Sequence, residues 1–444
     1  MVVVAGVGSC TPAGRHEPRP VVVLGIDGLE WRLVLELIRK GEMPNLAQQM
    51  SRGSYGRLTT LHPSMSPAIW TSVATGVAPS EHGIRGFIHS KNKLFTNRDR
   101  RTKALWNIAT DHGLTSQLIG WWMTYPVEPI RGIMVAQANT SMQLVREADG
   151  ILKGQLVQGL DHQIHPPELN GPILAMAADV EKHFDDIVRG IVPKIPPDDD
   201  PAVTPLWKQS RWAIRADAIY ERVAEETLRR EPNPDLLMLY FGGTDVLGHR
   251  FWRWAYPDDY KHPPSAESVA AYGSILRDYY RYTDQRIGKI LASAPPDANV
   301  IIMSDHGMGA GNRKRDFAES PDKPLRTGVH GQSEALLVIA GPDIARAKSA
   351  GSPQSVREKD LDSLGSVFDV APTVLALLGI EVASDMKGRA LTSLITAEFL
   401  ARHPIRTVPT HTPKGWAKTR NLPETETPGE DERLEQLRSL GYIQ

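Results

Sequence analysis

The sequence has one cysteine, no long apolar run and almost no net charge. Cys10 is the only cysteine among the 444 residues, so no intrachain disulfide can form. No apolar stretch approaches the roughly 20 residues that a membrane-spanning helix needs. The formal net charge is −1 and no long basic stripe occurs, so a nucleic acid polymer is not expected as a partner. These absences leave a globular chain with one large domain and insertions, or with two domains.

The first twenty residues differ in composition from the rest of the chain. Residues 1–20 begin with an apolar, small-residue run that ends at Cys10, and they continue as a polar, proline-containing linker. This arrangement resembles a bacterial lipoprotein signal, although the basic n-region is missing and the apolar run is short. The resemblance implies a lipid anchor at Cys10 and a cell-envelope location, either periplasmic or lipid-anchored. The alternative is a disordered tail on a cytoplasmic protein.

From residue 21 onward, strand-like apolar runs alternate with segments of helical spacing. Buried strands are predicted at residues 21–24, 116–120, 132–136, 236–240, 300–303 and 335–340, and the intervening helices at 31–40, 43–51, 68–75, 103–112, 209–230, 266–292 and 368–378. This alternation is typical of an α/β fold. We expect a three-layer α/β/α sandwich with a mostly parallel central sheet.

The alternation breaks between about residues 140 and 205, where prolines are frequent and one amphipathic helix is predicted at 174–188. We interpret this stretch as an inserted cap over the functional site. The predicted division is therefore a signal-like segment and linker at 1–20, a main domain at 21–400 with the cap insertion, and a C-terminal tail at 401–444. The tail is predicted to end in a short helix around 432–440.

Three short segments in the C-terminal half carry the residues most suited to bind metal: Asp245 with His249, Asp305 with His306, and His330. The first two segments closely follow predicted strands, and Asp27 follows the first strand of the domain. Carboxylate oxygens and neutral imidazole nitrogens bind Zn²⁺ and similar divalent ions. Strand ends in an α/β sheet are where such ligands converge. Three carboxylates and three imidazoles are the ligand supply of a two-metal hydrolase, whose ions lie ~4 Å apart.

Ser66 is the candidate nucleophile. It precedes Pro67 and the predicted helix at 68–75, and this position predicts an N-cap. A helix N-terminus and a neighbouring metal would both lower the pKa of the hydroxyl and favour phosphate binding.

Six segments, in order along the chain, resemble the alkaline phosphatase superfamily. The closest match is its type I phosphodiesterase / nucleotide pyrophosphatase branch and the bacterial phosphohydrolases related to it. The resemblance covers roughly residues 21–394 and rests on Gly25-Ile26-Asp27-Gly28, Ser66 to Gly76, Glu81-His82-Gly83-Ile84, Asp245 to His249, Ser304 to Met308, and His330-Gly331.

The resemblance implies two metal ions, Zn²⁺ with Mn²⁺ as an alternative, and a small-molecule phosphoester substrate. One ion would bind Asp245, His249 and His330. The other would bind four residues, namely Asp27, Asp305, His306 and the oxygen of Ser66. It also implies a covalent phospho-enzyme or nucleotidyl-enzyme intermediate on Ser66.

The chain departs from this branch in two places. The nucleophile is serine where the branch usually has threonine. After His82 the sequence continues to Phe87 without the asparagine that helps to hold the phosphoryl oxygen, which argues against nucleotide substrates. A sulfatase is disfavoured, because Cys10 to Arg15 lacks the spacing of the sulfatase motif and precedes the first strand.

Two further functions remain open from the sequence. A site of this type also serves phosphomonoesterases, phosphomutases and phosphoglycerol-type transferases of the same superfamily. An alternative from another class is a non-catalytic, metal-stabilised binding protein of the cell envelope.

Overall fold

The computed structural model describes residues 18–87, 94–137, 156, 160–196, 200, 203–208, 210–311, 327–331, 334–346 and 352–424. Residues 1–17 with Cys10, the predicted helix at 432–440 and part of the predicted cap lie outside these residues. Among the described residues, no helix combines the length and the apolar character needed to cross a bilayer.

The described chain contains strands of two to seven residues. They are β1 Val21–Ile26, β2 Gly53–Thr59, β3 Ser116–Ile119, β4 Gly132–Val135, β5 Ile164–His165, β6 Leu236–Phe241, β7 Asn299–Met303, β8 Met308–Ala310, β9 Gly328–His330, β10 Ala335–Ala340, β11 Ser363–Ser366, β12 Val382–Ala383 and β13 Thr407–Val408.

The helices are α1 Trp31–Arg39, α2 Pro44–Arg52, α3 Ser66–Thr75, α4 Pro79–His82, α5 Leu105–Asp111, α6 Asn170–Lys182, α7 Phe184–Ile191, α8 Thr204–Lys208, α9 Arg211–Arg230, α10 Gly243–Ala255, α11 Ala266–Tyr272, α12 Ile275–Ser293, α13 Val370–Leu377, α14 Ala397–Arg402 and α15 Trp416–Thr419.

The central sheet has nine strands in the order β11-β2-β10-β7-β1-β6-β3-β4-β5. Its middle, from β7 to β4, is parallel, while β10 runs antiparallel to both β7 and β2 and β5 runs antiparallel to β4. The parallel middle places the carboxyl ends of β7, β1, β6, β3 and β4 on one edge. The predicted α/β/α sandwich with a mostly parallel sheet is confirmed.

The two faces of the sheet are covered by separate hydrophobic cores. Successive β1 residues alternate between them: Val22, Leu24 and Ile26 pack with α1, α9, α10 and α12, whereas Val21 and Val23 pack with α3, α5 and α13. All six residues of β1 are buried. Burial on both faces explains why the parallel strands read as continuous apolar runs in the sequence.

Two predicted helices are each divided in the structure, and the predicted strands do not include β2. The single helix predicted at 174–188 is two helices, α6 and α7, separated at His183. The helix predicted at 266–292 is interrupted at Gly273 and Ser274, which gives α11 and α12. Strand β2 was not predicted at all, although it pairs along its length with β10.

The described part of the predicted insertion extends the main domain. Strand β5 pairs with β4 at the edge of the central sheet, and α6 packs against α9. Residues 138–155 lie outside the described residues. That the insertion covers the site therefore stays a prediction.

The described end of the chain is joined to the main domain by a buried ion-pair network. Glu128 accepts hydrogen bonds from Trp106 Nε1 at 2.7 Å and Arg420 Nη2 at 2.8 Å, and it is paired with Arg100. Burial raises the pKa of Glu128, but the charges of Arg100 and Arg420 outweigh this effect and hold it at about 2. The network therefore fixes the segment that contains Arg420 against the main domain.

Glu128→Gln should lower the free energy of unfolding at neutral pH by about 3 kcal/mol, because it leaves two buried guanidinium groups without a carboxylate. The folded pKa of about 2 lies below the reference value of 4.5. The stabilisation is therefore complete above pH 4.5 and is lost as the pH falls towards 2. Denaturant unfolding across this range should show that the difference between the free energies of unfolding of wild type and variant becomes smaller as the pH falls.

Glu226→Gln is the matched control. Glu226 also accepts hydrogen bonds from two arginines, Arg229 and Arg230, but at the protein surface. Exposed ion pairs contribute little, so this variant should unfold almost as wild type does. A Glu128→Gln effect that is no larger, or that does not change with pH, would contradict the role assigned to the network.

Candidate metal centre

The structure brings all seven predicted site residues together at the carboxyl edge of the parallel strands. Five segments of the chain position them. Asp27 follows β1, Ser66 begins α3, Asp245 and His249 lie in the first turns of α10 after β6, Asp305 and His306 follow β7, and His330 ends β9. All are buried except His330, which is partly buried.

Close approach at this edge depends on Gly28. Its φ of +64° lies in the left-handed region, which glycine adopts without penalty. A Cβ atom at this position would stand 3.0 Å from the Cα of Asp245. Gly28 thus allows the end of β1 and the start of α10 to lie side by side.

Asp245 and His249 share one face of α10, because residues four apart are neighbours on a helix. Asp217, on the neighbouring helix α9, holds the start of α10 in place. The Asp217 carboxylate accepts the backbone N–H groups of Gly242 at 2.9 Å and Gly243 at 3.0 Å. These two donors have no partner within α10, so Asp217 acts as its N-terminal cap.

Asp245 is the centre of one group of possible metal ligands. Its Oδ1 lies 3.2 Å from His249 Nε2 and 3.3 Å from His330 Nε2. The Nε2 atoms of the two histidines are themselves 3.0 Å apart. Three ligand atoms therefore face one small volume.

Asp27, Asp305 and His306 form the second group. His306 Nε2 lies 3.2 Å from Asp27 Oδ1 and 3.4 Å from Asp305 Oδ2. Ser66 Oγ lies 3.5 Å from Asp27 Oδ1. His306 Nε2 is also 3.9 Å from Asp245 Oδ1, so this imidazole lies between the groups and its predicted assignment to the second one stays a prediction.

Backbone hydrogen bonds orient all three imidazoles in the same way. Each ring has its Nδ1 beside a carbonyl oxygen: His249 beside Gly328 at 2.7 Å, His306 beside Gly307 at 3.0 Å, and His330 beside Ser64 at 2.8 Å. In the tautomer that donates from Nδ1, each Nε2 carries a lone pair directed into the cluster. Such outer hydrogen bonds commonly fix metal-binding histidines.

The pKa values of the cluster show that it favours a positive charge. Burial lowers the pKa of His306, but Asp305 and Asp27 outweigh this effect and raise it to about 10. Burial and the charge of Asp27 together raise the pKa of Asp305 well above its usual range. Burial also acts to raise the pKa of Asp245, yet His249 and His330 hold it well below its usual range. Three buried carboxylates this close need cations beside them.

The donor set fits two divalent cations. His306 Nε2 and Asp305 Oδ2 are buried and make no hydrogen bond to any residue that the structure describes. The Nε2 atoms of His249 and His330 lie 3.0 Å apart, so both could bind the same cation in the tautomer that donates from Nδ1. Carboxylate oxygen and imidazole nitrogen are a donor set for Zn²⁺, and imidazole also suits other transition metals.

The prediction that Ser66 is an N-cap is wrong by one residue. Met65 occupies the N-cap position and Ser66 is the first residue of α3, with Pro67 next. Proline is well suited to the first turn of a helix, and with Pro67 in that turn the helix begins two residues before the predicted start at residue 68. The hydroxyl of Ser66 is therefore turned towards Asp27 instead of capping its own helix.

Several supporting residues were not predicted from the sequence. Tyr240 OH at 2.6 Å and Trp70 Nε1 at 3.2 Å both donate to Asp27 Oδ2, which leaves Oδ1 for the cluster. Tyr240 could have been found from the sequence, because it places a hydroxyl group near the carboxyl end of an apolar strand, where the site is predicted. Asp217 and Trp70 lie within helices, where nothing in the spacing distinguishes them.

A pocket opens beside Ser66 and Asp27. Aromatic and aliphatic side chains form much of its walls, together with acidic and polar ones. The lining residues are Asp27, Ser66, Phe87, Trp122, Gln137, Trp212, Ala213, Ala216, Asp217, Tyr220, Tyr240, Gly242, Asp245 and Val246. Arg85, which follows the His82 segment, is exposed and does not line this pocket. Trp252 and Trp254, the tryptophans near His249, are buried in the core instead.

A family of known proteins matches most of the chain. The family described as type I phosphodiesterase / nucleotide pyrophosphatase matches residues 21–372. A curated relative, the 2,3-bisphosphoglycerate-independent phosphoglycerate mutase of Clostridium tetani (strain Massachusetts / E88), is 24% identical over 196 residues. That match covers 44% of this chain but only 31% of the length of the relative.

Solved structures of similar shape have TM-scores below 0.5 and therefore do not by themselves establish the fold. A mutant of the alkaline phosphatase PafA has a TM-score of 0.49 at 14% identity, covering 86% of this chain and 100% of that one. The 2-O GAG sulfatase BT1596 has 0.48 at 12%, covering 84% and 73%. Inactive murine ectonucleotide pyrophosphatase / phosphodiesterase 5 in complex with AMP has 0.45 at 12%, covering 85% and 100%.

Asp217→Asn should weaken Zn²⁺ binding by about tenfold to a hundredfold, the usual cost of losing an outer support of a metal ligand. The amide cannot accept from both N–H groups at the start of α10. Isothermal titration with Zn²⁺ measures the loss.

The matched control is Glu221→Gln, on the same helix. Asp217 and Glu221 each pair with the buried Arg286 at 3.1 Å, but the bonds found for Glu221 in the described chain do not reach α10. Both variants should lower the melting temperature, whereas Glu221→Gln should keep wild-type Zn²⁺ affinity. Equal affinities in the two variants would refute the role of Asp217 in holding α10.

Proposed function

Because the chain belongs to the type I phosphodiesterase / nucleotide pyrophosphatase family, we propose that it is a two-metal-dependent hydrolase of phosphate esters. We propose further that it acts on phosphodiesters through a covalent intermediate on Ser66. The observation that carries the proposal is the position of Ser66 Oγ. It lies 3.5 Å from Asp27 Oδ1, beside the two-group cluster, and Ser66 also lines the pocket described above.

We assign one cation to each of the two ligand groups, in the division that the sequence predicts. Asp245, His249 and His330 would hold one, and Asp27, Asp305 and His306 the other, with the oxygen of Ser66 as a further ligand. Bound there, divalent cations supply Lewis-acid charge at the phosphoryl group and lower the pKa of a coordinated hydroxyl. Zn²⁺ matches the ligand types, and Mn²⁺ is the alternative.

In the first step Ser66 Oγ attacks phosphorus. The Oγ–P bond forms, the bond from phosphorus to the ester oxygen breaks, and the departing alcohol takes the proton that the serine hydroxyl loses. In the second step water attacks the phosphoryl-serine, which releases the phosphate product and restores the hydroxyl. Displacement on phosphorus of this kind depends chiefly on positioning and electrostatic stabilisation.

Residues of the chain hold the nucleophile in place for this step. Ser66 begins the ten-residue helix α3, where backbone N–H groups of the first turn and the helix dipole favour an anion. Tyr240 and Trp70 hold Asp27 from its other oxygen. Burial and the Asp27 charge raise the pKa of Tyr240 well above its ordinary value, which keeps its phenol protonated as a donor.

A phosphoryl transferase is the second candidate. The match to a phosphoglycerate mutase favours it, because a mutase returns the phosphoryl group to an alcohol instead of water. The two functions share the first step and differ in the acceptor of the second. Product analysis with and without added glycerol or another alcohol acceptor distinguishes them.

The lipid anchor at Cys10 and the cell-envelope location also remain proposals. Mass spectrometry of the mature N-terminal peptide tests them directly. An unmodified Cys10 behind an intact Met1 would refute the anchor.

Purified protein should bind about two Zn²⁺ per chain, and the stoichiometry should fall to about one in His249→Ala and in Asp305→Ala. Each variant removes a ligand of a different group. Elemental analysis after gel filtration gives the ratio. His165→Gln alters a partly buried histidine outside the cluster, and this variant should still bind about two Zn²⁺ per chain. Unchanged stoichiometry in both ligand variants would contradict the two-group assignment.

Ser66→Ala should lower the rate of bis-p-nitrophenyl phosphate hydrolysis by about a thousandfold or more, the scale expected when a nucleophile is removed. Ser72→Ala changes a buried serine on the same helix whose hydroxyl contacts His82 at 3.0 Å, and it should retain wild-type turnover. Acid quenching during turnover should leave a phosphoryl group on the peptide that contains Ser66.

Three results would count against the proposed function. Activity on no member of a phosphodiester and phosphomonoester panel, with Zn²⁺ or Mn²⁺ added, would refute it. Turnover that persists in Ser66→Ala would refute the covalent step. Bound metal without turnover on any phosphoester would instead favour a non-catalytic binding protein.

A further inference from the structure

Thr244 links the two groups of metal ligands directly. It is the second residue of α10 and precedes Asp245, the centre of the first group. Its Oγ1 donates a hydrogen bond at 2.5 Å to the backbone carbonyl of Asp27, which belongs to the second group. Thr244 is only 1% exposed, so water has little access to this bond. The bond therefore ties the start of α10 to the main chain at the end of β1.

The hydroxyl of Thr244 takes the place of a hydrogen bond of the sheet. Strands β1 and β6 are parallel, and their ladder continues to Asp27, whose N–H donates to the carbonyl of Phe241 at 2.9 Å. In a regular parallel ladder the carbonyl of Asp27 would next accept from the N–H of Gly243. That N–H belongs to the first residue of α10 and donates to Asp217 at 3.0 Å instead. Thr244 thus supplies the donor that the sheet no longer provides at this point.

This bond differs from the one that a threonine inside a helix commonly makes. Thr71 and Thr283 each donate to the carbonyl four residues earlier in their own helix, which is a local contact. The acceptor of Thr244 lies 217 residues away in the sequence. The hydroxyl of Thr244 therefore determines how far α10 stands from β1, and it does not stabilise α10 alone.

The distance between α10 and β1 matters because each carries a ligand group. In a two-metal site the ions lie ~4 Å apart, and two cations so close repel each other. The groups already approach closely, since His306 Nε2 is 3.9 Å from Asp245 Oδ1. A short, buried hydrogen bond between the segments that carry Asp27 and Asp245 opposes their separation when both cations are bound.

We propose that Thr244 is a positioning residue that fixes the separation of the two ligand groups, and with it the separation of the two cations. This assignment rests on the two-metal part of the proposed function. Thr244 acts through the carbonyl of Asp27 and through its neighbour Asp245, and it is not itself a ligand.

The test measures the two Zn²⁺ dissociation constants of metal-free protein by competition with a chelating dye. Thr244→Ala should raise the second constant about tenfold relative to the first, on the scale expected for losing an outer support of a metal ligand. The second cation is the more affected because it must bind beside the first against their repulsion. Thr244→Ser retains the hydroxyl and should keep the wild-type ratio of the two constants.

Two further variants complete the comparison. Thr244→Val places a methyl group where the hydroxyl donates, so it should change the ratio at least as much as the alanine variant does. It serves as the comparison if the alanine variant does not fold. Thr373→Ala is the matched control, because Thr373 is a buried threonine of α13 whose hydroxyl donates to the carbonyl of Asp369 at 2.6 Å. This control should lower the melting temperature and keep the wild-type ratio.

The outcomes separate this assignment from the proposed function. A wild-type ratio in both Thr244→Ala and Thr244→Val would refute the role of Thr244 alone. A serine variant that changes the ratio as much as the alanine variant would also refute it, because the hydroxyl would then not be the cause. If the ratio changes as expected but wild type hydrolyses no phosphoester, the proposed function fails and the role of Thr244 stands. Wild type that binds fewer than two Zn²⁺ would overturn both.

Discussion

The structure depends on one electrostatic constraint, which is the burial of three carboxylates beside three imidazoles at one edge of a sheet. Asp27, Asp245 and Asp305 are each at most 3% exposed, so water does not compensate their charge. In the absence of a metal, the raised pKa of His306 provides part of the balance through a proton. The parallel strand order, the glycine after β1 and the capped start of α10 all serve to bring these groups together despite their repulsion.

Much of the fold was predictable because its strands are buried on both faces. Strands β1, β6, β7 and β10 are long apolar runs, and the matching predictions were correct to within two residues at each end. Strand β2 was missed because Gly53–Thr59 contains glycine, serine and arginine, and its conformation is set by pairing with β10. The helix breaks at His183 and Gly273 were missed for a related reason, since apolar spacing continues across them.

The candidate site was also predictable only in part. The family resemblance seen in the sequence is confirmed by the match over residues 21–372, and all seven site residues taken from motifs lie together. The residues that support them were not found, because their role is defined by contacts with distant segments. Asp217 lies on α9 and caps the start of α10, and Tyr240 donates a hydrogen bond to Asp27, which is 213 residues away in the sequence. The spacing of residues within one segment does not indicate contacts between distant segments.

The ligands of the cluster come from segments that begin at Asp27 and end at His330. During synthesis, the first ligand leaves the ribosome long before the last, and no described short stretch of the chain contains a complete group. Pairing between segments so far apart in sequence is slow, because closing the long loops between them costs conformational entropy. The two ligand groups thus come together only after most of the sheet has formed, so the proposed metal ions would bind to a folded site and not to the growing chain.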